Sequence, residues 1–207
     1  MPSCAQDTAK RYISQCSWDG ENIHIPDPPA TQAFTNTLGL QLRVHYQNVP
    51  GPDGRAVLNF IHRGHVIKNI QIDDFNNPNG WIAIAPKRFA ISWSNGGAAG
   101  GWSTRIFRVD TKGQILEDTT LISKVTKDFS SRHHCVERGE NYQAIRWMDN
   151  DHLLMTAEVY PASDCAEMGY TEGYMLNLAT SRIEKKMSED ELISLPYVCT
   201  WNAGPSH

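Results

Sequence analysis

Residues 142–160 read YQAIRWMDNDHLLMTAEVY, in which two apolar runs flank the polar triplet Asp149-Asn150-Asp151. Runs of this length on either side of a tight polar turn are typical of two paired antiparallel strands. A second pair of runs follows at residues 170–178 and 182–187, joined by a turn at residues 179–181. The sequence therefore predicts a four-stranded antiparallel sheet within residues 141–187.

The same pattern occurs once before, within residues 81–123. Gly101 and Gly169 hold equivalent places in the two copies, 68 residues apart. Residues 34–80 predict a third and less regular sheet, because apolar residues alternate from Leu38 to Val44 and two further runs follow a turn. Repeated units of this size bury the faces of their sheets against one another. In the first full copy the predicted strands are residues 81–85, 89–94, 102–109 and 114–121.

The ends of the chain and the segment between the two copies predict short helices and extended chain. Residues 1–33 predict an N-terminal helix and then an extended segment that is rich in proline. Residues 124–140 predict a polar linker with one helical turn. Ser188 and Glu191 form a capping-box pattern, so residues 188–207 predict a short helix and a tail. The predicted fold class is a single all-β domain with short terminal helices.

The charge and the lengths of the apolar runs argue against a nucleic-acid partner and against a membrane-spanning helix. The chain has 207 residues, a formal net charge of −4 and an isoelectric point near 6.0, so it lacks the basic character of nucleic-acid-binding proteins. No apolar run in the sequence reaches the roughly 20 residues of a membrane-spanning helix. No apolar leader follows Met1, and we expect a periplasmic or secreted protein from which a signal peptide has been removed.

The five cysteines are Cys4, Cys16, Cys135, Cys165 and Cys199, and none forms the CxxC pair of zinc and thioredoxin-like sites. We expect one disulfide between Cys135 and Cys165, as in proteins of an oxidising compartment. A second is expected from Cys199 to Cys16 or Cys4. The alternative is five free thiols in a cytosolic protein.

No set of residues in the sequence predicts a catalytic centre or a bound cofactor. His62 and His65, and the adjacent His133 and His134, are interpreted as surface or turn residues. No acidic partner stands at a metal-ligand spacing from any of them. The nucleophile motif G-x-S-x-G is also missing from the sequence.

Residues 73–79 concentrate oxygen-bearing side chains in one connection. Asp73, Asp74 and Asn76 suit a calcium ion and are the candidate metal ligands of the chain. Their order does not match an EF-hand, and Asn-Pro-Asn-Gly is also what a plain turn requires. A turn without a metal ion is therefore the alternative interpretation.

The connection between the second and third strands differs between the two copies. Residues 95–101 are rich in glycine, whereas residues 161–168 contain Cys165. A loop with few side chains can approach the backbone of a partner closely, and flanking aromatic residues can anchor that partner. We predict a recognition edge where both loops leave the sheets, with mobile hairpin tips over core aromatics as the alternative. The predicted binding residues are Trp93, Asn95, Gly96, Gly97, Ala98, Ala99, Gly100, Trp102, Ser163 and Tyr170.

Residues 144–155 resemble the strand–turn–strand of a β-propeller blade, in which an aromatic residue precedes an Asp/Asn turn and an aliphatic run follows. Residues 106–115 and 174–183 resemble the outer hairpins of such blades. A closed propeller needs at least four blades. The resemblance therefore implies an open, partial β-propeller of antiparallel four-stranded sheets, with a β-sandwich as the alternative.

In size, blade pattern and loop-bearing edge, the chain resembles small bacterial periplasmic immunity or inhibitor proteins of type VI secretion effectors. This resemblance implies a non-enzymatic, extracytoplasmic protein-binding module whose hairpin loops block a partner's site, with Trp93 and Trp102 as anchors. The partner implied is another protein, such as a secreted bacterial effector enzyme. The alternative is a hydrolase or carbohydrate-acting enzyme of the cell envelope that uses His133, His134 or residues 73–79.

Overall fold

The computed structural model describes residues 11–15, 22–24, 30–35, 41–49, 55–72, 80–94, 102–133, 140–159, 171–196 and 198–202. Up to residue 49 the description covers the backbone and the pairing of strands. From Val57 onwards it includes most of the side chains.

These residues form mostly β-structure with two short helices. The strands are β1 (Arg11–Gln15), β2 (Asn22–His24), β3 (Ala30–Thr35), β4 (Gln41–Val49), β5 (Arg55–His62), β6 (His65–Ile72), β7 (Gly80–Ala85), β8 (Arg88–Ser94), β9 (Trp102–Val109), β10 (Ile115–Glu117), β11 (Glu140–Trp147), β12 (His152–Val159), β13 (Thr171–Asn177), β14 (Arg182–Met187) and β15 (Val198–Asn202). The helices are α1 (Thr120–Ser130) and α2 (Glu189–Ile193).

Three antiparallel sheets follow one another along the chain. Sheet 1 consists of β3 to β6, sheet 2 of β7 to β10 with β2 added beside β7, and sheet 3 of β11 to β14. Strand β1 pairs with β15, so strands near the two ends of the chain form a separate two-stranded sheet. The predicted all-β class with antiparallel sheets is confirmed.

Two tight turns show why neighbouring strands pair locally. Between β5 and β6, Arg63 and Gly64 have positive φ angles of 50° and 79°, as a type I′ hairpin requires. His62 and His65 are paired on either side of this turn, as predicted. Between β11 and β12, the Asp149 carboxylate accepts hydrogen bonds from two backbone N–H groups of the turn, at 2.7 and 2.8 Å. Because these turns are short, closing them costs little conformational entropy when the neighbouring strands pair.

Sheets 2 and 3 pack face to face around the main core. Ala90 and Ile106 of sheet 2 belong to the same buried cluster as Met155 and Leu176 of sheet 3. Helix α1 covers the remainder of this face of sheet 3 with one apolar stripe, which consists of Leu121, Val125 and Phe129.

Sheet 3 is covered on its second face as well. There Ile145 and Leu154 cluster with Leu192 of α2 and Val198 of β15. Because both faces are covered, five consecutive residues of β12 are buried, from Leu153 to Ala157, and four of the five are apolar. Helix α2 lies close to the sheet at Gly173, where a Cβ atom would lie 2.5 Å from Leu192 Cδ2.

Sheet 1 packs against the other face of sheet 2 through stacked phenylalanine rings. The ring centroids of Phe60 and Phe89 are 4.9 Å apart, and those of Phe89 and Phe107 are 5.0 Å apart. Arg105 Nη1 of β9 also donates to the backbone oxygen of Gln71 on β6, at 3.4 Å. Sheet 2 therefore lies between sheet 1 and sheet 3.

The segment after β9 departs from the prediction of a strand over residues 114–121 and a linker with one helical turn. Strand β10 ends at Glu117, and the eleven residues of α1 begin at Thr120. Leu121, Val125 and Phe129 recur every four residues, so a helix buries them all on one side against sheet 3. Because this apolar stripe has only three residues, most of the segment is polar, and the sequence alone predicts a linker.

Both ends of the chain contain strands that the sequence did not predict. The predicted N-terminal helix is wrong for Arg11–Gln15, which forms β1 because β15 supplies its backbone partners from the other end of the chain. Strands β2 and β3 likewise begin in the part predicted to be extended. At the C-terminal end the capping box of Ser188 and Glu191 is confirmed, and α2 begins there.

The cysteine pairings lie mostly beyond the described residues. Cys4, Cys16, Cys135 and Cys165 are outside the described ranges, and Cys199 lies on β15 opposite Ser14. The disulfides expected from the sequence remain predictions.

Candidate binding site at the loop end

Sheets 2 and 3 are joined through their hairpin turns at one end, which we call the turn end. The backbone N–H of Lys87, between β7 and β8, donates to Asn150 Oδ1 at 2.8 Å. Arg88 Nη2 lies 3.0 Å from Asp151 Oδ1, in the turn between β11 and β12. Since these two turns lie together, the strands that leave them run side by side to the opposite end of the sheets.

The opposite end is where the longer connections begin and finish, and we call it the loop end. Gly80 pairs with Trp93 here, Ser94 with Trp102, and Glu140 with Val159. The described segments that begin or end at the loop end do so at Ile72, Gly80, Ser94, Trp102, His133, Glu140, Val159 and Thr171. Four connections, of residues 73–79, 95–101, 134–139 and 160–170, therefore leave and re-enter the sheets at this end.

Most residues that the sequence analysis selected belong to these four connections. Outside the described ranges lie Asn95, Gly96, Gly97, Ala98, Ala99, Gly100, Ser163 and Tyr170, and also Asp73, Asp74, Asn76, His134, Cys135 and Cys165. The strand termini on either side show that both predicted recognition loops leave the sheets at the same end. Their role in binding remains a prediction.

Two of the predicted binding residues are described. Trp102 begins β9 at the loop end and is partly buried. Trp93 is 8 % exposed, so its ring belongs to the core and is unavailable as an exposed anchor. It lies opposite Gly80 and shares the sheet 1 face of β8 with Phe89. No acceptor for its indole Nε1 is present within the described part of the chain.

A buried polar seam joins sheets 2 and 3 next to the loop end. The hydroxyl oxygens of Ser92 and Thr104 are 2.8 Å apart, and Thr104 donates to the backbone oxygen of Tyr142 at 2.7 Å. Ser92 Oγ accepts from the backbone N–H of Ala144 at 3.0 Å. Breaking such bonds would leave buried polar groups unpaired, so the seam holds the two sheets in one arrangement.

A cluster of charged side chains joins α1 to sheet 3 at the loop end. Arg132 forms a two-pronged ion pair with the carboxylate of Glu172, whose side chain is 6 % exposed. The same guanidinium lies 2.8 Å from Asp128 Oδ2 and 2.7 Å from Tyr174 Oη. Lys186 Nζ lies 2.5 Å from the other oxygen of Asp128. We call these five residues the arginine cluster.

Three members of the arginine cluster have a pKa that their neighbours shift: Arg132, Asp128 and Tyr174. Hydrogen bonds to Glu172, opposed by burial, raise the pKa of Arg132. Burial opposes ionisation of Asp128, but hydrogen bonds from Lys186 and Arg132 outweigh it and keep its pKa below the usual range. Burial, reinforced by Glu172, raises the pKa of Tyr174. These shifts favour a fixed structural network over the proton transfer that acid–base catalysis requires.

His133 lies beside the arginine cluster. Its ring packs on Phe129 with the centroids 4.5 Å apart, and its Nε2 lies 3.5 Å from Glu172 Oε1. Its side chain is 10 % exposed, and the residue directly follows the turn after α1, so His133 is a turn residue whose ring is largely buried. The helix α1, which sequence reasoning did not predict, turns this residue toward sheet 3.

The arginine cluster was not predicted from the sequence, because its members come from a helix, the turn after it and two strands that only the fold brings together. Two local signals were present. Asp128 and Arg132 stand four residues apart, which places them on one side of a helix. Glu172 and Tyr174 stand two residues apart, which places them on one face of a strand.

A second charged group lies at the turn end. His152 Nδ1 is 2.7 Å from Asp149 Oδ2, and its Nε2 is 3.2 Å from Glu184 Oε2. The hydrogen bond with Asp149 raises the pKa of His152. A backbone hydrogen bond from Asp151, together with the bond from His152, lowers the pKa of Asp149. The imidazolium therefore ties the turn between β11 and β12 to β14.

Comparison with protein-family models, with curated proteins and with solved structures finds no match for this chain. Among the residues described, no helix is long and apolar enough to cross a membrane. In the same ranges, no three His, Cys, Asp or Glu side chains converge as ligands of a metal ion. Geometry alone therefore makes the loop end the candidate functional site.

Proposed function

We propose that this protein is a non-enzymatic, extracytoplasmic protein-binding module of the inhibitor or immunity type, and that its loop end blocks a partner's site. The observation that supports this proposal is the convergence of four connections at one end of the stacked sheets. Binding residues are commonly carried by loops that a rigid scaffold holds in place.

The described residues next to the loop end supply such a scaffold. The polar seam holds sheet 2 against sheet 3, and the arginine cluster holds α1 against β13. Residues 134–139 and 160–170 begin directly beyond these contacts. A preorganised surface loses less conformational entropy on binding, which favours affinity. In this proposal residues 95–101 enter the partner's cleft and Trp102 contributes an aromatic contact.

Within this proposal the three sheets are the blades of an open, partial β-propeller. Sheets 1, 2 and 3 follow in chain order, and each contains four strands that pair in sequence order. Sheet 2 packs against a neighbouring sheet on each face. This order supports successive blades, whereas a sandwich consists of two layers around one core.

Deletion of residues 96–100 tests the role of the loop end. We expect the variant to unfold at the same urea concentration as the parent chain but to lose binding to a type VI secretion effector enzyme that the parent chain binds, measured by titration calorimetry. The matched control replaces Thr111 and Lys112 by glycine, in an exposed turn at the turn end, and should bind unchanged. Unchanged binding by the deletion variant would overturn the proposal.

The extracytoplasmic part of the proposal has a separate test. Mass mapping of native material without reduction is expected to find Cys135 joined to Cys165, as oxidising compartments permit. Five free thiols in that material would contradict an extracytoplasmic location.

A further inference from the structure

The beginning of β6 exposes aliphatic side chains. Val66 is 57 % exposed and Ile67 is 38 % exposed, and within the described ranges only Met148 is a comparably exposed large apolar residue. Ile61 lies opposite Val66 on β5 and is partly exposed as well. Adjacent apolar side chains that are open to water gain free energy when a partner covers them, so Ile61, Val66 and Ile67 form a candidate interface.

Strand β6 is an edge strand of sheet 1. It pairs with β5, and no described strand pairs with its other side. An edge strand keeps unpaired main-chain N–H and C=O groups, to which an extended segment of another chain can add. A register shift between Phe60 and Ile61 leaves Ile67 without a residue opposite it on β5. Further along, the backbone oxygen of Gln71 accepts a hydrogen bond from Arg105, so the open part of the edge is short.

The hairpin of β5 and β6 is positively charged. Residues 54–72 contain three arginine or lysine residues and no acidic residue, although the whole chain has a net charge of −4. Hydrogen bonding to Arg105 lowers the pKa of Glu117 on β10, and the charge of Lys68 adds to this effect, so Lys68 already faces a carboxylate. The side chain of Arg63 is exposed and has no hydrogen bond or ion pair with the described residues. Its charge is therefore available to a partner.

We propose that the beginning of β6 binds an extended, acidic segment of another protein, which adds to sheet 1 as a further strand. Apolar side chains of the segment cover Val66 and Ile67, and one of its carboxylates pairs with Arg63 at the hairpin turn. Alternating acidic and apolar residues suit this arrangement, because successive side chains of a strand point to opposite faces. The hairpin turn lies at the other end of β6 from Ile72 and the loop end, so the inference is independent of the proposed function.

Charge selects this occupant over a second copy of the chain and over a lipid surface. Two copies of β6 side by side would bring together hairpins that both lack acidic residues, and like charges would face each other. An anionic bilayer would repel a chain with a net charge of −4. Lipid head groups also cannot continue the main-chain hydrogen bonding of a sheet edge in register.

Titration of the full-length chain with a defined peptide tests the chemistry of the segment. The probe is acetyl-Glu-Val-Glu-Val-Glu-Val-amide. A first control peptide has lysine in place of glutamate, and in a second every backbone N–H is replaced by an N-methyl group. In the ¹⁵N-labelled protein the backbone amide signals of Val66 and Ile67 should shift saturably with the acidic probe and with neither control. No saturable shift with the probe, or equal binding by either control peptide, would overturn the inference.

Two variants test whether the peptide binds at this edge. Arg63→Asn removes the free cation and keeps the hairpin, because Asn-Gly is a preferred type I′ turn, and it should weaken binding about two- to fivefold. The double variant Val66→Thr and Ile67→Thr keeps β-branched side chains and should weaken binding about tenfold. The control Arg182→Gln removes an exposed cation from sheet 3 and should bind like the parent chain. Unchanged binding by both edge variants, with urea midpoints that show them folded, would overturn the inference.

Further measurements on the same proteins identify the competing occupants. We expect the parent chain to sediment as a monomer and not to bind vesicles of phosphatidylserine and phosphatidylcholine. A dimer, or vesicle binding, that is lost in the double threonine variant would assign the edge to a second copy or to a lipid surface and overturn the proposal. Deletion of residues 96–100 should leave peptide binding unchanged; a loss would place the peptide at the loop end and also overturn it.

Discussion

Replacing Arg132 by methionine tests whether the arginine cluster holds α1 against sheet 3. The substitution keeps an unbranched apolar side chain and removes the guanidinium. The Glu172 carboxylate then keeps the Tyr174 hydroxyl at 2.9 Å but loses both hydrogen bonds of its ion pair. Asp128 keeps Lys186 as its partner. The loss therefore falls mainly on a carboxylate whose side chain is 6 % exposed.

The geometry sets the expected size of the effect. Removing one partner of a buried ion pair destabilises a protein by about 3–5 kcal/mol. The Arg132 side chain is 36 % exposed, so water replaces part of the lost contact, and we expect a loss of about 2–3 kcal/mol in the free energy of unfolding. Replacing Glu172 by glutamine in the same chain removes the buried charge that has lost its guanidinium partner, and it should recover about 1 kcal/mol or more.

Urea unfolding followed by tryptophan fluorescence measures these free energies in the parent, both single variants and the double variant. The pair of Arg105 and Glu117 is the control, because its side chains are 30 % and 29 % exposed and it lies on sheet 2. Arg105→Met is expected to lose about 1 kcal/mol or less. The reasoning is refuted if Arg132→Met is no more destabilising than Arg105→Met, or if Glu172→Gln recovers nothing in the double variant.

Three further predictions follow from single contacts. Gly173→Ala should destabilise the protein by about 1–3 kcal/mol, because the new methyl group would overlap Leu192; a denaturation midpoint equal to the parent's would contradict this packing. The pKa of His152 lies above its ordinary value of 6.5, so its ion pairs contribute fully to stability below that pH and are lost as pH rises through the folded pKa. Thermal unfolding from pH 5 to 9 should therefore show a decline with rising pH that His152→Gln removes, and an identical profile for both proteins would refute this. Ser188→Ala should lose about 1 kcal/mol with the capping box of α2, whereas Ser123→Ala, at an exposed position inside α1, should lose less.

The candidate site could be predicted from the sequence only in part. The length and placing of the repeated strands were enough to predict that the loops at residues 95–101 and 161–168 leave one edge, because strand direction alternates along a hairpin meander. The burial of Trp93 was not predictable, since an aromatic residue beside a loop can equally well pack in the core or contact a partner at the surface. The arginine cluster was missed because α1, β13 and β14 meet only after the sheets have packed.

What the sequence determined by itself is the local pairing of strands. Apolar runs bounded by turn residues specify hairpins such as β11–β12 and β13–β14, because the partner strand is supplied a few residues away. The capping box of α2 is local in the same sense.

Tertiary structure alone decided the rest. Strand β1 forms because β15 lies beside it, α1 forms because sheet 3 accepts its apolar stripe, and Trp93 is buried because sheet 1 covers that face of sheet 2. In each case the stabilising partner is distant in the chain, so no window of sequence contains the interaction that fixes the outcome.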